Sequence, residues 1–506
     1  MADSNCFSSL VKKVEEYGPE RLLEVAKDWA QCNGFVLRPS ELKDRSDYSQ
    51  ICPLSLLPSP FPKQLFQQAV DVQKDMNRLY FLLSFDRDFL LSSLSTVVES
   101  DEFTANLLDV YNRVYEETGG LGPRQKLVLQ IQRSDYMCHG PVGSPLNQHH
   151  LKQIEVNSIA TSFGGLACRA SRLHRVLLRQ IGVSAAELEN LIPERNDSLE
   201  TVVSGVVQAW RAYGDTSAGI LFVTEGDMNQ NKFDQTHLQF EIWQKTDSAA
   251  RIFHVDLCHC YERLSLGPSH ELLLDKSLVV SVVYFRAGYV PDHYTRREDW
   301  EARLLIERSM AIKCPWIGLQ LANTKKLQQC LARRGAVEKY MPDRVDPIRA
   351  TFAGLWGLDA SSPLVEAIIQ KAIENPEDYV LKPQLEGGGN NTYGSEIAVK
   401  LKAMSKKERS AFILMERLRP FENENYLIRP TKGPLSKLTL TRSVNELGIY
   451  GYLIGRGPAD GVSFHSGEIL ENVCSGGHLL RTKSIQEDEG GILVGASVND
   501  SPLFCI

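Results

Sequence analysis

A glycine-rich segment near residue 387 carries residue types that could hold an anion. In LKPQLEGGGNNTYG, Lys382 ends a short apolar stretch and is followed by Glu386 and the three glycines Gly387 to Gly389. Glycines lack a Cβ, so their backbone N–H groups can wrap a phosphate. Lys382 could supply positive charge to that phosphate, and Glu386 could hold a bridging Mg²⁺. A mobile surface loop explains the composition equally well, because glycine-rich turns are common.

A second segment, QIEVNSIATSFGGL, places a carboxylate and an amide two residues apart. A strand here would present Glu155 and Asn157 on the same face. Oxygen ligands of this kind suit a hard divalent cation, and Mg²⁺–ATP sites usually combine acids from distant segments. The polar face of a half-exposed strand would give the same pattern without any ligand.

A third segment, GGHLLRTKSIQEDEGGILVGA, places Arg481 and Lys483 on one face of a predicted strand, before a glycine pair. Arg481 could bind a carboxylate through two N–H groups, and Lys483 could contact phosphate. A solvated basic pair is the alternative. The chain has neither the GxxxxGK[ST] phosphate loop nor the GxGxxG dinucleotide fingerprint. The three segments therefore predict a different nucleotide-binding fold.

Other kinds of chemistry have weaker signals in this sequence. A cluster of His254, Cys258, His259 and Cys260 lacks the regular spacing of a four-ligand zinc site, so zinc is disfavoured. The GxSxG and HExxH motifs of common hydrolases are absent.

The secondary-structure elements that must position these residues alternate between helices and strands along the chain. This alternation predicts an α/β (α+β) fold. Residues 199–290 read as a small open α/β unit whose Val/Ile-rich strands are covered on both faces. The tail from residue 378 is rich in strands. Helices are predicted over 65–83, 103–117, 200–214, 300–314 and 324–340 and after Asn231, and strands over 127–137, 149–163, 218–225, 251–256 and 278–286.

Composition excludes several classes of partner. The 506 residues carry a net charge of −7 with no basic face, which disfavours nucleic acid. Apolar runs are shorter than the roughly 20 residues that a membrane-spanning helix needs. The 11 cysteines show no regular spacing, and the first residues contain acids rather than an export signal. We therefore expect a protein of the cytoplasm with reduced thiols.

Taken together, the three segments resemble the eukaryotic glutathione synthetase family of ATP-grasp ligases. The resemblance extends to RSDYM, VVYFRAGY, WEARLLIERS, LANTKK, ILMERL and NELGIYG, and covers about residues 60 to 500. It implies an ATP-grasp fold with an inserted open α/β substrate-binding domain and a glycine-rich lid. The implied segments are 1–216 for the N-terminal helical region and first part of the core, 217–323 for the substrate-binding domain, and 324–506 for the remaining core, with the lid at approximately 340–420.

The resemblance implies a reaction and its ligands. ATP phosphorylates γ-glutamylcysteine, and the amine of glycine attacks the acyl phosphate to give glutathione, ADP and phosphate. The implied cofactors are ATP and Mg²⁺, the implied assembly is a homodimer, and segments 387–394 and 485–495 are expected to close over the ligands.

Two departures from the family leave an alternative open. Ala160 stands where the family usually carries a hydroxyl residue, and Ile492 with Leu493 stands where a smaller pair is usual. The acceptor could therefore be another small amino acid. A diverged paralogue that binds nucleotide or peptide with little turnover is also possible.

Matching motif positions imply roles for individual residues. The catalytic residues are Arg481, Lys325 and Lys382, and the Mg²⁺ ligands are Glu155, Asn157 and Glu386. The implied ATP site comprises Glu155, Lys325, Lys382, Glu386, Gly387, Gly388, Gly389, Asn390, Asn391, Tyr393, Met415, Glu416, Arg417, Leu418, Glu446, Lys483 and Glu489. The implied substrate site comprises Arg133, Ile159, Ala160, Thr161, Ser162, Asn229, Gln230, Asn231, Gln235, Arg286, Ala287, Gly288, Tyr289, Arg481, Ile492 and Leu493.

Overall fold

A computed structural model describes residues 3–42, 45–226, 229–385, 389–430 and 438–505. The helices of these ranges are α1 Asp3–Tyr17, α2 Pro19–Cys32, α3 Lys63–Leu83, α4 Arg87–Leu94, α5 Glu102–Glu117, α6 Gly164–Gln180, α7 Ala185–Leu191, α8 Ser198–Tyr213, α9 Lys232–Lys245, α10 Leu257–Arg263, α11 Arg297–Arg308, α12 Ile317–Ala322, α13 Lys325–Ala332, α14 Ala336–Tyr340, α15 Val345–Ala350, α16 Pro363–Glu374, α17 Ser395–Ala403 and α18 Lys406–Arg409.

The strands of the same ranges are β1 Val36–Leu37, β2 Gln50–Ile51, β3 Leu54–Ser55, β4 Ser59–Pro62, β5 Leu127–His139, β6 His150–Asn157, β7 Gly219–Thr224, β8 Ile252–Asp256, β9 Leu264–Leu266, β10 Leu272–Leu274, β11 Leu278–Phe285, β12 Ile312–Cys314, β13 Leu355–Gly357, β14 Tyr379–Pro383, β15 Phe412–Glu416, β16 Glu422–Asn425, β17 Leu427–Ile428, β18 Thr441–Arg456, β19 Glu468–Val473, β20 His478–Ser484, β21 Ser497–Asp500 and β22 Pro502–Cys505.

The largest sheet is built around the long strand β18. Its order is β17-β3-β21-β20-β18-β5-β6, and β16 and β19 also pair with β18. Leu447, Ile449 and Leu453 of β18 belong to one apolar cluster, which includes the buried face of α3. Tyr450, Tyr452 and Ile454 belong to a second apolar cluster, which includes the buried face of α8. The alternation follows from the period of two in a strand, so the sheet is covered on both faces.

A smaller sheet has the order β8-β7-β11-β10-β9, with β12 added beside β11. Strands β8, β7, β11 and β12 are parallel, and every residue of β7 is buried. This agrees with the prediction that the Val/Ile-rich strands are covered on both faces. The carboxyl ends of these parallel strands share one edge, which is where open α/β sheets usually bind ligands.

A third sheet, of order β13-β15-β14, is antiparallel and lies on helices α16 and α17. It falls within the segment predicted as a lid, between about 340 and 420. The three predicted segment boundaries stay a prediction.

Most predicted elements are confirmed, but two helix predictions are wrong in extent. Helix α11 ends at Arg308, and Ile312–Cys314 is instead strand β12, which pairs with β11 because the sheet offers a parallel partner. The helix predicted over 324–340 is two helices, α13 and α14. The chain leaves the helix at Arg333, whose ψ of 144° is extended, and Gly335, with a φ of 90°, directly precedes α14. The strand predicted over 149–163 ends at Asn157.

Across the described ranges, no helix combines the length and the apolar character required to cross a bilayer.

Candidate active site

A cavity of about 1030 Å³ lies over β5, β6, β18 and β20 of the largest sheet. Its other walls are the three-stranded sheet, the start of α13 and the segment 485–494. The predicted site residues that line it are Arg133, Glu155, Asn157, Ile159, Ala160, Thr161, Ser162, Tyr289, Lys325, Lys382, Asn391, Tyr393, Met415, Glu416, Arg417, Leu418, Glu446, Arg481, Lys483, Glu489, Ile492 and Leu493. Residues from all three segments, the one near Gly387, the one with Glu155 and the one with Arg481, therefore line the same cavity.

Some predicted site residues are not part of this lining. The cavity wall does not include Asn229, Gln230, Asn231, Gln235, Arg286, Ala287, Gly288, Gly389 or Asn390. Glu386, Gly387 and Gly388 lie outside the described residues, so the predicted third metal ligand and most of the predicted phosphate loop are not described.

The buried carboxylate of Asp135 organises the floor of the cavity. It accepts hydrogen bonds from Arg133 Nε at 2.6 Å and from a second guanidinium nitrogen of the same residue at 2.8 Å. It also accepts from Asn157 Nδ2 at 3.0 Å and from Arg481 at 3.1 Å. The sequence analysis assigned no role to Asp135. Its place two residues after Arg133 on one strand face was the signal that could have identified it.

Strand β18 leaves room for this cluster because it carries glycine at position 448. A Cβ there would lie 2.5 Å from Asp135 Oδ1 and 2.6 Å from the Cδ of Arg133. Any larger residue would displace the ion pair. On the same strand, Glu446 lies opposite Arg481 of β20 and accepts a hydrogen bond from its guanidinium.

Glu155 and Asn157 have the chemistry of a magnesium site. The Asn157 amide nitrogen donates to Asp135 and also lies 3.4 Å from Glu155 Oε1, so its oxygen remains available as a ligand. Burial alone would raise the pKa of Glu155, but Lys325, Lys382 and nearby arginines lower it to about 2. The carboxylate is therefore ionised, and these two hard oxygen donors fit Mg²⁺.

Three lysines converge on the cavity from three different elements. Lys325 begins α13 and donates to the carbonyl oxygen of Leu385 at 2.5 Å, while Lys382 of β14 donates to that of Ile154 at 3.2 Å. Lys483 of β20 donates to the carbonyl oxygen of Asp488 at 2.5 Å. Burial lowers the pKa of Lys483 to about 8, although Glu489 and Asp488 act to raise it. Such a cluster can hold several phosphate oxygens.

The segment after β15 connects two loops around the cavity. The Arg417 guanidinium donates to Glu377 at 2.9 Å and to Asp488 at 3.0 Å, and it lies 5.6 Å from the ring centroid of Tyr393. The backbone N–H of Asn391 donates to Glu489 Oε1 at 3.2 Å. The glycine-rich segment and the 485–494 segment are therefore in direct contact.

Four further charged residues that line the cavity were not predicted from the sequence. They are Glu377, Asp488, Arg419 and Arg442.

The turn after β6 has an unusual backbone. Ala160 and Phe163 have φ values of 50° and 69°, a left-handed conformation that costs roughly 1–3 kcal/mol per non-glycine residue. The carboxylate of Asp234 holds the turn by accepting from the backbone N–H groups of Phe163 and Gly165, each at 2.8 Å. The carbonyl of Thr161 accepts from Arg286 at 3.0 Å. The turn thus connects the cavity to the smaller sheet.

The two residues predicted to face the acceptor amino acid occupy different environments. Ile492 is 2% exposed and belongs to an apolar core cluster, whereas Leu493 is partly exposed beside that cluster. Both contribute to the cavity lining. Of the two, Leu493 has more side-chain surface with which to meet a ligand.

The cluster considered for zinc is arranged differently from a metal site. His254 Nε2 lies 2.8 Å from Gln239 Oε1, and the Cys260 thiol is fully buried. Within the described ranges, no group of three His, Cys, Asp or Glu residues is arranged to hold a metal ion.

Comparison with known proteins identifies the family. Residues 17–504 match the family described as eukaryotic glutathione synthase, ATP binding domain. The glutathione synthetase of Xenopus laevis is 38% identical over 491 residues, which cover 96% of each chain. That of Homo sapiens is 38% identical over 488 residues, again 96% of each chain. This chain belongs to the eukaryotic glutathione synthase family.

More distant members agree with this assignment. The chloroplastic glutathione synthetase of Solanum lycopersicum is 36% identical over 462 residues, covering 89% of this chain and 77% of the relative. Among solved structures, a glutathione synthetase-like effector from Globodera pallida in its apo form is 29% identical, with a TM-score of 0.73 and 96% of both chains covered. The predicted mixed α/β fold, family and function of an ATP-dependent glutathione synthetase are confirmed.

Proposed function

We propose that this member of the glutathione synthase family ligates γ-glutamylcysteine to glycine, with ATP converted to ADP and phosphate. The observation that supports it is the convergence, in one cavity, of an oxygen-donor pair, three lysines and the guanidinium groups of Arg133 and Arg481. An acyl-phosphate reaction needs this combination, because phosphate and carboxylate charges must be held close together while they react.

We assign each group of cavity residues a role according to its chemistry. Lys325, Lys382 and Lys483 neutralise phosphate oxygens, and the Asp135-anchored guanidinium groups of Arg133 and Arg481 orient carboxylates. Glu155 and Asn157 would hold Mg²⁺, which when bound supplies charge to the transferring phosphoryl group. Catalysis rests on positioning and charge neutralisation, and no side chain acts as a nucleophile.

The adenine end of the nucleotide is assigned to the segment from Met415 to Leu418 with Tyr393. The Glu416 carboxylate already accepts from the backbone N–H of Gly354 at 3.0 Å, which holds this segment against the three-stranded sheet. We further assign the enzyme to the cytoplasm, which the buried free thiols of Cys52, Cys138 and Cys314 support, and to a homodimer, which family resemblance supports.

A second candidate function is ligation to a different small amino acid. Leu493 in the cavity lining favours it, because each added methylene at such a wall changes discrimination by roughly 1–3 kcal/mol.

A coupled ADP-release assay with γ-glutamylcysteine and a panel of amino acids tests these proposals. We expect ADP release that requires both the dipeptide and an amine, and near-complete loss of turnover in Glu155→Gln with an unchanged thermal midpoint. Turnover greatest with serine or alanine would select the second function. Absence of turnover with every amine would reject both and leave a binding role.

A further inference from the structure

A short segment links the three-stranded sheet to the largest sheet beside the cavity. Residues 417–421, the connector, run from the end of β15 to the start of β16. All five line the cavity, and Arg417 and Leu418 among them are assigned above to the adenine end of the nucleotide. The position of the connector relative to the largest sheet therefore affects the shape of the nucleotide site.

The end of strand β5 holds the connector through its backbone. The N–H of Gly140 donates to the carbonyl of Arg419 at 3.1 Å, and the N–H of Phe421 donates to the carbonyl of Cys138 at 3.2 Å. Between these two bonds, the backbone N–H of Arg419 donates to Nδ1 of the His139 ring at 2.9 Å. Of these three hydrogen bonds, the last one alone depends on a side chain.

The hydrogen bond from Arg419 fixes the tautomer of His139. A backbone N–H can only donate, so Nδ1 must carry a lone pair, and the ring hydrogen of the neutral imidazole is then on Nε2. Nε2 lies 3.6 Å from Glu416 Oε1. The other oxygen of Glu416 accepts from the backbone N–H of Gly354 at 3.0 Å. The neutral imidazole thus lies between the connector backbone and a carboxylate bound to the three-stranded sheet.

The surroundings of His139 keep its ring neutral at pH 7. The side chain is only 22% exposed, and burial lowers its pKa from the ordinary value near 6.5. The charged and titratable groups that act on it from neighbouring elements are Glu416, which raises the pKa, and Lys152, His149 and His150, which lower it. Arg419 directs its own charge to Asp378, at 2.6 Å.

Resting on the proposed function, we propose that His139 is a positioning residue for the nucleotide, whose neutral imidazole holds the connector against β5 so that ATP binds less tightly once the ring is protonated. Protonation places a hydrogen on Nδ1, where it faces the N–H of Arg419, and two donors cannot form the bond. The guanidinium groups assigned to substrate carboxylates, those of Arg133 and Arg481, lie on β5 and β20 and not on the connector. The effect is therefore specific to the nucleotide.

Two variants of similar size separate the hydrogen bond from the volume of the ring. In His139→Asn, the amide oxygen replaces Nδ1 as an acceptor and does not titrate, whereas His139→Leu has no acceptor. Calorimetry measures the binding of Mg²⁺–ADP and, separately, of γ-glutamylcysteine to each protein at pH 7.5 and pH 5. The matched control is His150→Asn, because His150 is the exposed residue that pairs with His139 across β5 and β6.

At pH 7.5 we expect wild type and His139→Asn to bind Mg²⁺–ADP equally, and His139→Leu to bind it about three- to tenfold more weakly, the factor that one lost hydrogen bond produces. At pH 5, wild type should bind it several-fold more weakly than His139→Asn. Titration of the nucleotide phosphates and of Lys483 is common to all the proteins and cancels in these ratios. The dipeptide should bind all of them within about twofold, and His150→Asn should keep the wild-type pH dependence.

Three outcomes overturn the inference. They are equal binding of Mg²⁺–ADP by the Asn and Leu variants at pH 7.5, the same pH dependence in wild type and His139→Asn, and equal weakening of nucleotide and dipeptide in His139→Leu. ADP release from ATP is recorded separately on the same proteins. Nucleotide binding that depends on His139 without amine-dependent ADP release would retain the inference and reject the proposed function. ADP release without dependence of nucleotide binding on His139 would do the reverse.

Discussion

At the scale of single residues, Asp135 connects more of the site than any residue assigned from the sequence. It hydrogen-bonds Arg133, Arg481 and Asn157, although it is only 1% exposed. Its charge therefore orients two guanidinium groups and turns the Asn157 oxygen away from itself. A buried carboxylate of this kind acts through its neighbours and needs no contact with a ligand.

We predict that Asp135→Asn raises the Mg²⁺ concentration for half-maximal rate by at least about tenfold, because Asp135 orients Asn157, the proposed Mg²⁺ ligand. Neutralising one partner of a buried ion pair also costs about 3–5 kcal/mol of unfolding free energy. Asp86→Asn is the control, because Asp86 is 4% exposed and accepts from Tyr340 at 2.9 Å, outside the cavity lining. Equal Mg²⁺ requirements in both variants would contradict the prediction.

The residues proposed to face the acceptor separate into a core position and a wall position. Truncating Leu493 to Ala should change the glycine KM several-fold with little loss of thermal midpoint, because this side chain is partly exposed at the cavity. Ile492→Val should leave the glycine KM unchanged and cost about 0.5–1.5 kcal/mol of stability, because Ile492 is buried. The glycine KM and the unfolding free energy are measured on both variants. A changed KM in Ile492→Val with an unchanged KM in the Leu493 variant would make Ile492 the wall residue and Leu493 the core residue.

At the scale of elements, strand β20 runs from the edge of the cavity into the interior of the sheet. Arg481 and Lys483 face the cavity from it, while His478 at its start is fully buried. The His478 ring makes an edge contact with Phe66 at 5.1 Å between ring centroids. Burial lowers the pKa of His478 to about 4, although a hydrogen bond to the carbonyl of Gly476 acts to raise it.

This pKa predicts how stability depends on pH. The unfolded chain, with a histidine pKa near 6.5, binds a proton that the folded chain excludes until about pH 4, so stability falls as pH decreases through this window. We expect the unfolding free energy of wild type to fall by about 2 kcal/mol more than that of His478→Gln between pH 7 and pH 5. Urea unfolding of both proteins at the two pH values measures it. Identical pH dependence in the two proteins would assign the loss to other groups.

At the scale of the whole molecule, the cavity exists because the largest sheet, the three-stranded sheet and several loops meet. The three-stranded sheet is connected to the 485–494 segment by the Arg417–Asp488 ion pair at 3.0 Å and by the Asn391–Glu489 hydrogen bond at 3.2 Å. Side chains at the mouth are exposed, including Val142 at 75% and Val494 at 67%. Ligands between these parts would bring them into closer contact and exclude water from an acyl phosphate.

We predict that ATP together with γ-glutamylcysteine slows subtilisin cleavage within 485–494 by at least about tenfold, because cleavage requires local opening that bound ligands oppose. Cleavage near Val462, which is 68% exposed and outside the cavity lining, serves as the internal control. Mass spectrometry of the fragments identifies the sites. Equal cleavage with and without ligands would reject closure of this segment.

The sequence by itself determined the elements and the residue types of the site. Period-two patterns placed Glu155 with Asn157, and Arg481 with Lys483, on shared strand faces, and all four line the cavity. These predictions succeed because strand geometry depends only on neighbouring residues. Motif resemblance added the family, since several separated segments had to match in order.

Only the tertiary structure decided which residues meet. Asp135 lies 346 positions from Arg481, and their contact depends on the pairing of β5 and β20 with β18. Glu225 and Tyr289 are in contact because β7 and β11 are adjacent strands. Ile312–Cys314 forms a strand because it pairs with β11. Such pairings depend on the burial of whole faces of sheets, a property that no local stretch of sequence contains.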